Sequence, residues 1–101
     1  MYGLRLRKLK HEGGLIEIQY SAHFLQEFRR LDRLIQHRFE TREAWFRNDP
    51  NDARPRTHLL KGNLRGYWAF YVTPSVRAVF TFETSQRIRF QRIGTHDQVY
   101  R

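Results

Sequence analysis

Apolar and polar residues alternate in three short runs along the second half of the chain, as is typical of β-strands. The runs cover residues 66–73, 76–82 and 87–93. The second run alternates most clearly, and its apolar members fall on one side: they are Val76, Ala78, Phe80 and Phe82. Arg77, Val79 and Thr81 fall on the other side. We therefore expect a three-stranded meander with one apolar face and one mixed face.

The first half of the chain has the period of amphipathic helices. From Ala22 to about Arg38, apolar residues recur at intervals of three and four, and Ser21 is a suitable N-cap. The apolar stripe consists of Phe24, Phe28, Leu31 and Ile35, widened by Leu25 and Leu34. A second helix is predicted to start at Thr41 and to end at Asn48-Asp49-Pro50.

A short segment with strand composition, residues 15–20, precedes the helices. Residues 1–14 are basic and end in a glycine pair, which suits either an extra strand that turns back or a loose extension. The order strand, helix, helix and three strands predicts a single α+β domain over residues 1–101. We expect the helical hairpin to pack on one face of an antiparallel sheet and to leave the other face for function.

Composition places the chain among globular proteins. Its 101 residues suit one domain, and an apolar fraction of 40% with 15% aromatics supplies a core. No apolar run is long enough for a membrane span or a signal peptide, so we expect a cytoplasmic protein without a membrane partner. The absence of cysteine excludes disulfides and thiol catalysis.

The net charge of +9, most of it from arginine, is large for a small domain. Such a surface attracts polyanions, and its binding to them weakens steeply with salt. The charge therefore favours a nucleic acid or an acidic protein as the partner.

The polar residues of the second half suit chemistry without a metal. The five histidines show no metal-ligand spacing, and no glycine-rich phosphate loop follows a strand, so neither a metal nor a cofactor is expected. The side chains that remain are His58, Lys61, Arg77, His96 and Tyr100.

Metal-free RNA cleavage requires residues of these types. One group takes the proton of the ribose 2′-OH, another protonates the departing 5′-oxygen, and cations offset the charge on the phosphorane. Imidazole suits the proton transfers, and arginine grips phosphate with a planar, permanently charged fork. Tyr100 follows His96 by four residues, so in a helical turn the two would share a face.

Each candidate also has a purely structural interpretation. His58 could cap a turn, Arg77 could pair with Glu83 or Asp97, and Tyr100 could be an apolar latch on the sheet. Arg65 is more simply a solvated loop charge. The two tryptophans, Trp45 and Trp68, are assigned to the core.

Three motifs carry a resemblance to a known family. They are His58-Leu-Leu-Lys61-Gly62-x-Leu64-x-Gly66-Tyr67-Trp68, Arg77-Ala-Val-Phe80 and Ile93-Gly94-Thr95-His96-Asp97-x-Val99-Tyr100. In these motifs the chain resembles the RelE/ParE superfamily of toxin–antitoxin toxins, and it is most similar to the YafQ-like branch.

The resemblance implies a small RelE-like fold with a curved antiparallel sheet. It implies a type II toxin that cleaves messenger RNA on the ribosome, with contacts to 16S rRNA, and that a cognate antitoxin neutralises in a hetero-oligomer. Carried over by position, His96 would be the proton donor, Tyr100 its aromatic companion, His58 a second catalytic histidine or the base, and Arg77 the ligand of the scissile phosphate. The substrate-binding cations would be Lys61, Arg65, Arg89 and Arg92.

Two positions depart from the YafQ-like pattern. Tyr71 stands where those toxins carry a histidine, and Ser75 stands where they carry an aspartate. These departures put the identity of the general base in question, and two other functions stay open. One is ParE-like inhibition of DNA gyrase by binding alone, and the other is an inactive homologue that binds antitoxin or RNA.

Overall fold

A five-stranded sheet with helices on both faces forms the part of the protein that the computed structural model describes, residues 16–100. The elements are β1 Glu17–Tyr20, α1 Ala22–Arg29, α2 Arg33–Asn48, β2 His58–Leu59, β3 Trp68–Tyr71, β4 Val76–Thr84, β5 Arg87–Thr95 and α3 His96–Val99. The predicted basic lead-in, residues 1–14, lies outside the described residues. The predicted α+β class is confirmed.

The strands are arranged in the order β1-β5-β4-β3-β2. The three predicted strands of the second half form the antiparallel meander β3-β4-β5. The first strand, in contrast, pairs in parallel with β5, from Glu17 beside Arg87 to Tyr20 beside Phe90. The sheet is therefore mixed, and the expectation of a wholly antiparallel sheet is wrong in this one pairing.

The two long helices start at residues with capping side chains. The Ser21 hydroxyl accepts from the Phe24 N–H at 2.9 Å, as predicted, and the Asp32 carboxylate accepts from the Ile35 N–H at 3.0 Å. The chain turns between α1 and α2, so the prediction of one helix from Ala22 to about Arg38 is wrong.

The predicted helix start at Thr41 is also wrong, because this residue lies in the middle of α2. The Thr41 hydroxyl donates to the carbonyl of His37 at 3.2 Å, one turn earlier in the same helix. The predicted end of the helix at Asn48 is confirmed.

The main core lies between the two long helices and one face of the sheet. Six phenylalanines at its centre are at most 2% exposed: Phe24, Phe39, Phe46, Phe70, Phe80 and Phe90. Their ring centres lie 5.0–6.1 Å apart in adjacent pairs. Each buried ring contributes about 1.5–3 kcal/mol. Leu25 and Leu34 are 39% and 61% exposed, so they lie outside the buried stripe that was predicted to include them.

A smaller cluster covers part of the opposite face of the sheet, called the open face below. Val99 of α3 packs there with Leu60, Ala69 and Val79. Residues 77 and 79 of β4 thus face away from the long helices, as the alternation predicts. Trp68 is buried as expected, whereas Trp45 is half-buried and lies outside both clusters.

Candidate functional site

Adjacent strands bring three polar side chains to the open face. Tyr71 of β3 pairs directly with Arg77 of β4, and His58 of β2 pairs with Ala69, two residues before Tyr71. Because paired residues share a face and alternate residues along a strand return to it, all three side chains lie on the same side of the sheet.

The side chains of five residues form a continuous series of contacts, the aromatic–arginine row: His58, Tyr71, Arg77, Tyr100 and His96. The ring of His58 stacks on Tyr71 with 5.6 Å between centres. The Arg77 guanidinium carbon lies 4.7 Å from the Tyr71 ring centre and 5.9 Å from that of Tyr100. The edge-to-face contact of Tyr100 with His96 spans 4.4 Å. The structure thus brings together the four residues predicted to be catalytic.

The short helix α3 sets the position of His96. Thr95 caps it in a reciprocal arrangement, in which its hydroxyl accepts from the Gln98 N–H and the Gln98 side chain accepts from the Thr95 N–H. His96 is the first residue of the helix, and Tyr100 follows one turn later.

Gly94 gives the Gln98 side chain room for this cap. A Cβ atom at position 94 would lie 2.6 Å from Gln98 Oε1, closer than real Cβ contacts. The Gly-Thr-His sequence therefore has a steric basis, since glycine admits the cap that orders the histidine.

A backbone contact orients the ring of His58. Its Nδ1 lies 3.0 Å from the carbonyl oxygen of Arg56. A carbonyl can only accept a hydrogen bond, so Nδ1 carries the hydrogen in this contact, and the lone pair of the neutral ring then lies on Nε2.

The charge of Arg77 has no carboxylate to offset it within residues 16–100. Glu83 lies beside Arg89 instead, and Asp97 lies beside His96, so neither predicted partner forms an ion pair with Arg77. Burial raises the pKa of the Tyr100 hydroxyl above its ordinary value, with a further rise from Tyr71 and an opposing effect of Arg77. Tyr100 is therefore protonated at neutral pH and is not a base.

A cleft of about 350 Å³ opens beside His96 and Tyr100. Lys61, Asn63 and Leu64 line its other side. Gly62 and Gly66, at either end of that loop, have φ angles of +67° and +96°, a conformation that favours glycine. Lys61 directly precedes Gly62 and lines the same cleft as His96 and Tyr100.

The other predicted substrate-binding cations lie outside the row. Arg65 is exposed, and Arg89 donates to Gln19 Oε1 at 3.0 Å. Arg92 makes a two-pronged contact with Glu27, at 2.8–3.1 Å, and donates to the Gln98 carbonyl. Arg92 therefore joins α1, β5 and α3, while binding of RNA by these three residues stays a prediction.

Two residues of the site were not predicted from the sequence. Tyr71 lies at the centre of the contacts, and the Arg56 guanidinium carbon lies 5.5 Å from its ring centre. The alternation of residues along β3 could have indicated Tyr71, because it places Tyr71 and Ala69 on the same face and β3 is the neighbour of the strand that carries Arg77. The placement of Arg56 has no such signal.

The described part of the chain offers no grouping for a metal. Within residues 16–100, no three histidine, aspartate or glutamate side chains lie close enough to hold an ion. In the same range, no helix is long and apolar enough to cross a bilayer.

Solved structures with the same architecture belong to toxins. A YoeB/ParE toxin from Agrobacterium tumefaciens is 18% identical over 80% of this chain and 99% of its own, with a TM-score of 0.68. YafQ from E. coli strain BL21(DE3) is 22% identical over 85% of this chain and 99% of its own, with a TM-score of 0.69. This chain has the RelE/ParE toxin fold.

The likeness includes a toxin bound to its antitoxin. The E. coli DinJ–YafQ complex matches with 22% identity over 86% of this chain and 99% of the matched chain, at a TM-score of 0.68. No protein-family model and no curated protein matches the sequence. At such identities, the RelE/ParE likeness is one of fold, and the site must be argued from its own residues.

Proposed function

We propose that this protein is the toxin of a type II toxin–antitoxin pair and that it cleaves messenger RNA without a metal. The observation that carries the proposal is the aromatic–arginine row on the open face of a toxin fold. A histidine stands at each end of the row, and an arginine without an ion-pair partner in residues 16–100 stands at its centre.

The reaction begins at His58. Its Nε2 takes the proton of a ribose 2′-OH, and the freed oxygen attacks the adjacent phosphorus. The bond from phosphorus to the 5′-oxygen breaks, and the departing oxygen takes a proton from His96 at the other end of the row. The products are a 2′,3′-cyclic phosphate and a 5′-hydroxyl end.

Arg77 stabilises the charge that accumulates on the phosphorane oxygens. Its guanidinium is held against two aromatic rings, which orient it without neutralising it. Tyr100, protonated at neutral pH, orients His96 or stacks on a base, and Lys61 adds a second cation at the edge of the cleft.

The fold and the charge support the proposed partners. The DinJ–YafQ complex pairs a toxin of this fold with an antitoxin, and we propose a cognate antitoxin for this chain, in a hetero-oligomer. The net charge of +9 supports binding to RNA, and we propose that the substrate is messenger RNA on the ribosome, with contacts to 16S rRNA.

Mapping of 5′-hydroxyl ends in messenger RNA after brief induction tests the proposal. The parent should produce cuts within translated frames, and His96→Ala should not. His37→Ala is a matched control, because His37 lies on α2 with its side chain 77% exposed. It should cut as the parent does.

Other outcomes assign other functions. Cuts outside reading frames would mean that free RNA is the substrate. Growth arrest with intact messages and damaged DNA would favour gyrase inhibition, and the catalytic roles above would then be wrong. No arrest and no cuts by the parent would leave an inactive homologue that binds antitoxin or RNA.

A further inference from the structure

A second cleft, also about 350 Å³, is lined by Arg77 and shares no lining residue with the cleft beside His96. We call it the arginine cleft, because four of its lining residues are arginines: Arg42, Arg54, Arg56 and Arg77. Tyr71 and Thr73 contribute polar groups to its wall. The cleft thus adjoins the row and shares two residues with it.

Most of the positive charge in the arginine cleft is not offset. Arg54 forms an ion pair with Asp52 at 2.7 Å. No ion pair is formed by Arg42, Arg56 or Arg77 with any of residues 16–100, and none of the lining residues is acidic. The cleft therefore favours an anion.

The surroundings of Arg42 also favour a bound anion. Its half-buried side chain donates to the carbonyl of Arg38, one turn earlier in α2. Burial, and then repulsion from Arg38, lowers the pKa of the Arg42 guanidinium below its ordinary value. The attraction of a bound anion would offset both effects.

Aromatic rings hold the arginines in place. Trp45 contacts both Arg42 and Arg54, with guanidinium carbons 5.4 and 3.9 Å from its ring centre. Arg56 lies over Tyr71 and has a φ of 58°, the left-handed conformation that a residue with a side chain adopts at a cost. A left-handed residue that is not glycine often marks a functional position.

We propose that the arginine cleft binds a phosphate of the RNA strand beside the one that the row cleaves. The inference rests on the proposed function, because Tyr71 and Arg77 belong both to the row and to the lining of the cleft. Arginine forks match phosphate oxygens in geometry and charge. Arg42 and Arg56 would then set the register of the strand and take no part in the chemistry.

The test is the salt dependence of binding to a short 2′-O-methyl RNA oligonucleotide, which cannot be cleaved. Fluorescence anisotropy gives the affinity of the parent and of the double variant Arg42→Gln/Arg56→Gln. Each lost phosphate contact should lower the slope of log affinity against log salt by about 0.7 for a single strand. Because the cleft is proposed to bind one phosphate, we expect a decrease of about 0.7 in the double variant, with weaker binding at every salt concentration.

The matched control is Arg30→Gln/Arg33→Gln, which removes the same charge from exposed positions where α1 meets α2. Its slope should stay at the parent value. An unchanged slope in the cleft variant, an equal fall in both double variants, or no measurable binding by the parent at low salt would each overturn the proposal. Thermal unfolding by circular dichroism verifies that every variant is folded.

The experiments distinguish a failure of the cleft proposal from a failure of the proposed nuclease function. If the parent cuts messages but the cleft variant keeps the salt dependence of the parent, the phosphate-binding role of the arginine cleft is wrong and the proposed function stands. If the slope falls as expected but no message is cut, the cleft binds RNA and the proposed chemistry is wrong. His96→Ala should keep the parent slope and lose cleavage.

Discussion

The guanidinium of Arg77 lies against the ring of Tyr71, and its Nη2 is 3.4 Å from the Tyr71 hydroxyl. Tyr71 stands where the YafQ-like pattern has a histidine, so this position does not supply a third imidazole here. It supplies a surface on which both His58 and Arg77 rest.

Substitutions at Tyr71 should separate the roles of its ring and its hydroxyl. Tyr71→Phe keeps the ring contacts with His58, Arg77 and Arg56 and loses one long hydrogen bond, so cleavage should fall by less than about tenfold. Tyr71→Ala removes all three ring contacts and should lower cleavage by roughly ten- to a hundredfold. Cut frequency at a fixed message site measures both, with Tyr67→Phe, on the same face but outside the row, as the control. Equal losses in the Phe and Ala variants would mean that the hydroxyl is the essential group.

Gly94→Ala should disturb α3 through Gln98. The added methyl group displaces the Gln98 side chain from the Thr95 N–H, which should cost about 0.5–2 kcal/mol, as the loss of a helix cap does. Cleavage should fall because His96 is the first residue of that helix. Single-turnover cleavage and urea unfolding measure the two effects.

Gln98→Ala provides the control for Gly94→Ala, because it removes the same cap contact and the Oε1 atom that the added methyl group would meet at 2.6 Å. The double variant should be no less stable than the worse single variant. Additive losses would show that Gly94 acts in some other way.

Glu27 should stabilise the protein above acidic pH. Burial alone would raise the pKa of Glu27, but hydrogen bonds from Arg92 and the Ile93 N–H outweigh it and hold the pKa below its usual value. Its contribution is therefore present above the pKa of the unfolded state, about 4.3, and is lost as pH falls through the folded value.

Glu27→Gln should accordingly lower the free energy of unfolding by about 1.5–3 kcal/mol at pH 7 and by much less in strong acid. Urea unfolding at both pH values measures this. Glu40→Gln is the control, since Glu40 is 63% exposed and should contribute less than about 1 kcal/mol. A loss for Glu27→Gln that does not change with pH would contradict the ion-pair account.

Glu43 should show the opposite pH dependence. It is 9% exposed and accepts from the Tyr20 hydroxyl. Burial raises the pKa of Glu43, although Tyr20 and Arg47 oppose the rise. The protonated Glu43 carboxyl therefore stabilises the fold at pH values below the pKa that Glu43 has in the unfolded state. This contribution is lost as the pH rises through the pKa that Glu43 has in the folded state.

Variants of the buried pair test this account. Glu43→Gln keeps an acceptor without the charge, so stability at neutral pH should be unchanged or higher. Tyr20→Phe leaves the carboxylate without its donor and should cost about 1–3 kcal/mol. Urea unfolding distinguishes them, and a large loss in Glu43→Gln would show that the ionised carboxylate stabilises the fold.

The sequence predicted which helices and strands are present better than where they begin and end. The apolar stripe of Phe28, Leu31 and Ile35 continues across the break between α1 and α2. Periodicity alone therefore does not reveal the break. The decisive signal was local, a capping carboxylate at Asp32. The parallel pairing of β1 with β5 joins segments 70 residues apart, and no local pattern specifies such a partner.

The candidate site shows a similar limit. Alternation along β4 placed Arg77 on the side opposite the apolar one, and the spacing from His96 to Tyr100 placed these two residues on one side of a helical turn. The contacts of Arg77 with Tyr71 depend on strand register, and the position of Arg56 depends on a left-handed backbone in an irregular loop. Neither register nor loop conformation follows from residue type.

The position of β5 between β1 and β4 also has a consequence for biosynthesis. The strand that joins the two sides of the sheet, β5, is translated after the other four strands, and the helix that carries His96 follows it. Among residues 16–100, β1 therefore has no partner strand until residues 87–90 have left the ribosome. The contact of His96 with Tyr100 forms only after that, so the same late segment of the described chain completes both the sheet and the row.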